Sequence, residues 1–196
     1  MKLLAIVGGV ALAAALSNPA EAADFTGPRV EVHAGWERLG VADPALKLDD
    51  REDGIVYGVG VGYDVALGKR LVAGLEADFD LADTEFERVA GNTRVEARAR
   101  RDIALSARLG ARLGDRLLLY GKAGYTNARI AGVLIANGTA GTTREEFAAN
   151  GDGLRLGAGV EFALGAHAYA KSEYRYSNYE SDVTRHQLLA GFGYRF

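Results

Sequence analysis

The chain has 196 residues, with 23 Lys and Arg against 26 Asp and Glu, 26 Gly, 3 Pro and no Cys. That length suits one domain and excludes a multidomain enzyme, and a formal net charge of −3 excludes a nucleic-acid binder held by bulk positive charge. With 48% hydrophobic residues it is no disordered tail, and the missing cysteines remove disulfides, thiolate catalysis, Cys-ligated metals and an acyl anchor together.

Residues 1–22 read as a secretory signal peptide. Lys2 supplies the positive start, Leu3 to Leu16 an apolar core of 14 residues, and Ala20-Glu21-Ala22 a small-x-small cleavage site. The core is shorter than the roughly 20 residues a spanning helix needs. Past it there is no long apolar run. The expected mature domain is 23–196.

From Arg29 onward the chain alternates with period two, the mark of strands with unlike faces. Val30, Val32, Ala34 and Trp36 oppose Glu31, His33, Gly35 and Glu37. Ile55, Tyr57, Val59, Val61, Tyr63 and Val65 oppose Gly58, Gly60, Gly62 and Asp64. Leu71 to Leu81 sets Leu, Ala and Phe against Gly74, Glu76, Asp78 and Asp80. Ile103 to Leu113 opposes Ser106, Arg108, Gly110 and Arg112. A fifth segment has Leu117, Leu119, Ala123 and Tyr125 against Lys122, Gly124 and Thr126; Leu118 and Tyr120 fall on its polar face, which suggests a bulge or a register error there. Leu154 to Leu164 opposes Arg155, Gly157, Gly159 and Glu161. Ala168 to Tyr176 opposes Lys171, Glu173 and Arg175. Leu188 to Phe196 opposes Gln187, Gly191, Gly193 and Arg195.

This makes eight strands, each with an apolar face long enough to cross a bilayer at a tilt. The connections alternate. Short turns fall at Leu67-Gly68-Lys69-Arg70, Leu113-Gly114-Asp115-Arg116 and Leu164-Gly165-Ala166-His167. Long polar loops are expected at about 39–53, 83–95, 129–152 and 177–184. The third carries Val133-Leu134-Ile135 and Gly138-Thr-Ala-Gly-Thr-Thr, which fits strands running on beyond a membrane. The pattern predicts an eight-stranded antiparallel up-and-down transmembrane β-barrel with its short turns and both termini in the periplasm.

A soluble, ligand-carrying barrel also alternates. Three features favour the membrane version. The polar face carries charge in mid-strand: eight acids (Glu31, Glu37, Asp64, Glu76, Asp78, Asp80, Glu161, Glu173) against seven bases (Arg108, Arg112, Lys122, Arg155, Lys171, Arg175, Arg195). Near-balance suits a lumen cross-linked by ion pairs in a barrel only wide enough for side chains. Glycines on that face leave room for long Arg and Glu chains. The chain ends on alternating aromatics, Phe192, Tyr194 and Phe196. Trp36, Tyr57, Tyr63, Tyr125, Tyr174, Tyr176 and Tyr194 read as interfacial belts.

Gly157-Ala-Gly-Val-Glu-Phe, Ala170-Lys-Ser-Glu-Tyr-Arg-Tyr and the closing Gly191-Phe-Gly-Tyr-Arg-Phe196 resemble the small outer-membrane β-barrel proteins of Gram-negative bacteria, the OmpA-transmembrane-domain-like and opacity-type "porin family". The resemblance covers nearly all of the expected mature chain. It implies an outer-membrane address, and it makes Phe192, Tyr194 and Phe196 a signal for the outer-membrane assembly machinery. Full-length OmpA proteins continue into a peptidoglycan-binding domain, which is not expected here. Lipid A deacylases on this scaffold carry a His two residues before a Ser; His33, His167 and His186 are followed by Gly35, Tyr169 and Leu188, so the motif is missing.

Asp49, Asp50, Glu52 and Asp53 cluster without calcium-loop spacing and read as a solvated loop tip. No metal and no cofactor are expected. Arg94, Arg98, Arg100 and Arg101 fall near the outer rim, Arg101 with the parity of lipid-facing residues. Guanidinium matches phosphate geometry, so Arg98, Arg100 and Arg101 are candidates for lipopolysaccharide contact, against pairing with Glu85, Glu87 and Glu96. The Gly58/Gly60/Gly62 series lacks the βαβ context of a dinucleotide fingerprint. The expected function is structural, membrane integrity and loop display by a monomer among outer-membrane lipid, with no enzyme activity. A small pore is the alternative, with a lipid A-modifying enzyme or a soluble periplasmic carrier behind it.

Overall fold

Residues 25–43, 48–90, 93–138, 141–180 and 183–196 are described in a computed structural model. The expected signal peptide, residues 1–22, lies outside them. β-Branched and aromatic residues alternating with Gly or charge favour a pleated strand with two unlike faces, and strands account for almost every described residue: β1 Gly27–Asp43, β2 Leu48–Leu67, β3 Leu71–Ala82, β4 Glu85–Ala90, β5 Thr93–Leu113, β6 Leu117–Gly138, β7 Gly141–Ala163, β8 Ala168–Tyr179 and β9 Val183–Arg195. Chain neighbours pair antiparallel, β9 pairs with β1, and β3 pairs with β5, so the sheet closes on itself. β3 and β4 both pair with β5 and are one barrel strand interrupted at Asp83 and Thr84. The result is an eight-stranded antiparallel barrel.

The barrel is inside out relative to a soluble protein. Tyr57, Val59, Val61 and Tyr63 on β2 are each more than half exposed, while Arg29, Glu76, Arg155 and Arg175 inside are 1% exposed or less. A belt of exposed Leu, Val, Tyr and Phe is stable only against hydrocarbon. Leu118 and Tyr120 cause no bulge on β6. They point inward in register: Leu118 joins Phe25, Val72 and Ala163 in a small apolar cluster that floors the short-turn end, and the Tyr120 hydroxyl donates to Glu173 (2.5 Å). The irregularity lies on β5 instead, where Ala99 pairs with Ile130 and Arg101 with Arg129, leaving Arg100 as the extra residue.

The four segments expected as loops are largely paired strand. The β6–β7 ladder runs from Leu117↔Phe162 to Gly138↔Gly141. β6 alone has 22 residues; at about 3.3 Å each it is far longer than an apolar band roughly 25 Å tall requires. Polar residues hide a strand from a hydropathy reading because, outside the bilayer, neither face needs to be apolar. The short turns match their sequence signals, with Gly68 at φ +80 and Gly114 at φ +73 in the left-handed region that Gly adopts at little cost.

Inside, large faces small. Arg29, Glu31 and His33 on β1 lie directly opposite Gly62, Gly60 and Gly58 on β2, and Lys122 and Tyr120 on β6 oppose Gly157 and Gly159 on β7. At Gly62 a Cβ would come within 2.8 Å of both the Arg29 guanidinium carbon and the Leu75 carbonyl oxygen. The carbonyl is backbone and cannot yield. Gly62→Val is therefore expected to destabilise the folded barrel by about 1–3 kcal/mol, read as a lower urea midpoint in lipid vesicles. An unchanged midpoint would mean the interior is looser than described.

Candidate functional site

The strand pleat sends every second side chain inward, so residues far apart in sequence meet in the lumen. Nine carboxylates (Glu31, Glu37, Asp64, Glu76, Asp78, Asp80, Asp102, Glu161, Glu173) are buried there with eight Lys and Arg among the described residues. Near the short-turn end, Arg108 bridges Glu161 (2.6 Å) and Asp64 (3.0 Å), and Arg195 binds the same two acids. Arg29 reaches Asp64 (3.1 Å), Glu31 (2.7 Å) and Glu76. Mid-lumen, Lys122 contacts Glu76, Asp78 (3.0 Å) and Glu173 (2.8 Å), and Lys171 contacts Glu31 and Glu173 (3.3 Å). Arg175 joins Glu173, Asp78 and Asp80 (3.1 Å each to the aspartates). Towards the outer end Arg155 spans Asp80 (3.1 Å) and Asp102 (2.5 Å), and Arg185 spans Asp102 (2.8 Å) and Glu37 (3.1 Å). The pairs form one unbroken chain from floor to mouth.

Of the lumen residues read from the sequence, Glu31, Glu37, Asp64, Glu76, Asp78, Asp80, Arg108, Lys122, Arg155, Glu161, Lys171, Glu173, Arg175 and Arg195 take part in this chain. Arg112 is half-buried at the short-turn end, with its guanidinium 5.6 Å over the Phe25 ring. Arg29, Asp102 and Arg185 also belong to the chain, just past the ends of the alternation read at Glu31, Ser106 and Gln187. Carrying the parity one step from Glu31 and from Gln187, and two steps from Ser106, finds each. His33 lies in the lumen with Nε2 2.6 Å from Asp80; His167 sits at a short turn against the Arg195 carbonyl (2.9 Å); His186 lies at the outer end beside Tyr174 (2.7 Å). The three are on different parts of the barrel.

At the outer rim the bulge at Arg100 rephases β5. Without it Arg98 would share the inward parity of Asp102; with it Arg98 and Arg100 are exposed and Arg101 is half-buried on the outer side. Arg101 lies directly across from Arg129, and like charges so placed repel. Among the described residues no carboxylate pairs with Arg100, Arg101 or Arg129, whereas Arg94 meets Glu96 at 3.7 Å. The side chains of Glu85, Glu87, Asp49 and Asp50 lie outside those described. Asp53 takes two hydrogen bonds from Arg38 (2.7 and 3.1 Å), which hold its carboxyl below the usual carboxylate range, and Arg38 also lies 5.0 Å over the Trp36 ring.

Asp102 accepts from Arg155, Arg185, Thr126 and Tyr179. Asp102→Ala leaves two buried guanidiniums short of their shared acceptor, an expected loss of about 3–5 kcal/mol by urea unfolding in vesicles; Asp102→Asn keeps the shape and should lose less. Equal stability of all three proteins would remove Asp102 from the network.

Residues 8–196 match the model of the outer membrane protein beta-barrel domain. The 31 kDa outer-membrane immunogenic proteins of Brucella melitensis biotype 1 and Brucella suis biovar 1 are each 25% identical over 207 residues, covering 91% of this chain and 86% of theirs. In fold the barrel is similar to Ail, the attachment invasion locus protein of Yersinia pestis (TM-score 0.52, 19% identity, 87% of this chain and 99% of that one). It is similar also to Neisserial surface protein A (TM-score 0.54, 15% identity, 87% and 98%). With an apolar belt outside, charge inside and a family model matched along almost its whole length, the chain belongs to the outer-membrane protein β-barrel domain family and is a protein of the Gram-negative outer membrane.

Proposed function

We propose that this barrel is a closed, non-enzymatic element of the outer membrane, which supports membrane integrity and presents long hairpins at the cell surface. The observation that carries this reading is the unbroken chain of ion pairs through the lumen, whose members are all 5% exposed or less. Eight strands leave an interior that side chains fill, and paired Arg and Glu fill this one. Below them Phe25 and Leu118 add an apolar floor. Single-channel recording of the refolded mature protein in a planar bilayer tests the reading: silence from protein shown to be folded is expected, and discrete, reproducible conductance steps would make it a pore.

Arg98, Arg100 and Arg101, joined by Arg129, form the surface through which the barrel contacts lipopolysaccharide phosphates. The opposition of Arg101 to Arg129 supports this, since an anion between them turns repulsion into two charge-assisted hydrogen bonds. The expected effect of Arg100→Gln with Arg101→Gln is weaker binding to lipopolysaccharide micelles by about tenfold or more, at about 1 kcal/mol per arginine facing an anionic surface. Unchanged binding overturns the assignment. Phe192 and Tyr194 on β9 and Phe196 just past it are exposed along one outward row, and the Phe196 amide donates to the Pro28 carbonyl (3.0 Å). That row is assigned to the outer-membrane assembly machinery.

A further inference from the structure

The three short turns repeat a pattern that lumen and outer rim leave unused. Leu67-Gly-Lys-Arg70, Leu113-Gly-Asp-Arg116 and Leu164-Gly-Ala-His167 each set a Leu at or just past the end of a strand, a Gly after it, and a basic or imidazole side chain two residues on. Leu67, Leu71 and Leu113 are 44–52% exposed and continue the lipid-facing rows. The cations therefore stand at the level where the hydrocarbon ends.

The first two turns are neighbours, since β3 pairs with β5 and the Arg112 amide donates to the Arg70 carbonyl (2.7 Å). Between them opens a hollow of about 650 Å³ lined by Lys69, Arg70, Leu71, Arg112, Leu113 and Asp115, among others. Among the described residues neither Lys69 nor Arg70 makes an ion pair. Lys69, Arg70 and Arg112 line the hollow with one carboxylate, Asp115.

We propose that this hollow binds the phosphate head group of an anionic phospholipid of the inner, periplasmic leaflet, with Leu71 and Leu113 leading its acyl chains into the bilayer. The leucines select a lipid over free phosphate, because a soluble anion gains nothing from them. The position at the short-turn end selects a phospholipid over lipopolysaccharide, which occupies the opposite leaflet. Lys69 and Arg70 supply the charge at the polar boundary, and Asp115 opposes it.

The test uses the full mature protein in nanodiscs of phosphatidylethanolamine doped with phosphatidylglycerol, with retained lipid counted by native mass spectrometry. Wild-type protein is expected to retain phosphatidylglycerol in preference to phosphatidylethanolamine. Lys69→Gln with Arg70→Gln should cut that retention about thirtyfold, at about 1 kcal/mol per charge near an anionic surface. Asp115→Asn should raise it, an effect that a merely structural turn residue would not produce. Arg144→Gln, the same type of charge loss at the other end, should leave it unchanged. Equal retention by wild type and the double variant overturns the proposal, as does an equal loss in Arg144→Gln. Lipopolysaccharide-micelle binding that falls with the periplasmic pair would also overturn it, by tracing the preference to general charge.

Discussion

Charge without water is the constraint from which the rest of this structure follows. A side chain that is ionised in the middle of a bilayer is tolerated only if an opposite charge and enough hydrogen bonds surround it. Here the wall is hydrocarbon-facing Leu, Val and Tyr, so every ionised group in the bilayer has to point inward and find its partner there. The glycines on β2, β7 and β9 follow from the same need. An eight-stranded lumen cannot hold an Arg against a Glu unless the residue across from it is small, and Gly60 opposite Glu31 or Gly191 opposite Lys171 supplies that space.

The two ends of the barrel solve different problems. At the short-turn end, Phe25 and Leu118 close the lumen with apolar bulk, and Arg112 and Arg195 each stack over Phe25 at 5.6 Å. At the outer end closure is polar, through Asp102, Arg185 and Glu37 with Thr84 and Gln187 donating to Glu37. Beyond it the hairpins rise as paired strands, with no requirement on which face is apolar. The membrane thus dictates sequence over about the span of Ile55 to Leu67 on β2, and much less above it.

That division explains what could be read directly from the residues. Period two, short Gly turns and charge in mid-strand made the eight strands, their faces and most of the lumen members legible, because inside the bilayer each of these is enforced by hydrocarbon on one side and crowding on the other. The outer parts of β5, β6 and β7 were hidden, since Arg94 to Arg98 and Thr142 to Asn150 alternate in nothing that hydropathy registers. The Arg100 bulge was equally hidden: a one-residue insertion changes which way Arg98 faces and leaves no mark in composition. Leu118 and Tyr120 mislead for the opposite reason, since an inward apolar or aromatic residue looks like a register fault until its partners are seen, the floor for Leu118 and Glu173 for Tyr120.

The ion pairs join distant parts of the chain. Lys171 meets Glu31 across 140 residues, Arg195 meets Asp64 across 131, and Arg175 meets Asp78 across 97. A hairpin inserted alone would carry several of these charges into hydrocarbon without their partners, and its unpaired strand edges would be exposed there as well. Partly assembled barrels are therefore the least stable species on the way to the membrane. Closure of β1 against β9 completes both the hydrogen-bond ring and the charge ring, so a strand leaving the closed barrel would break both at once.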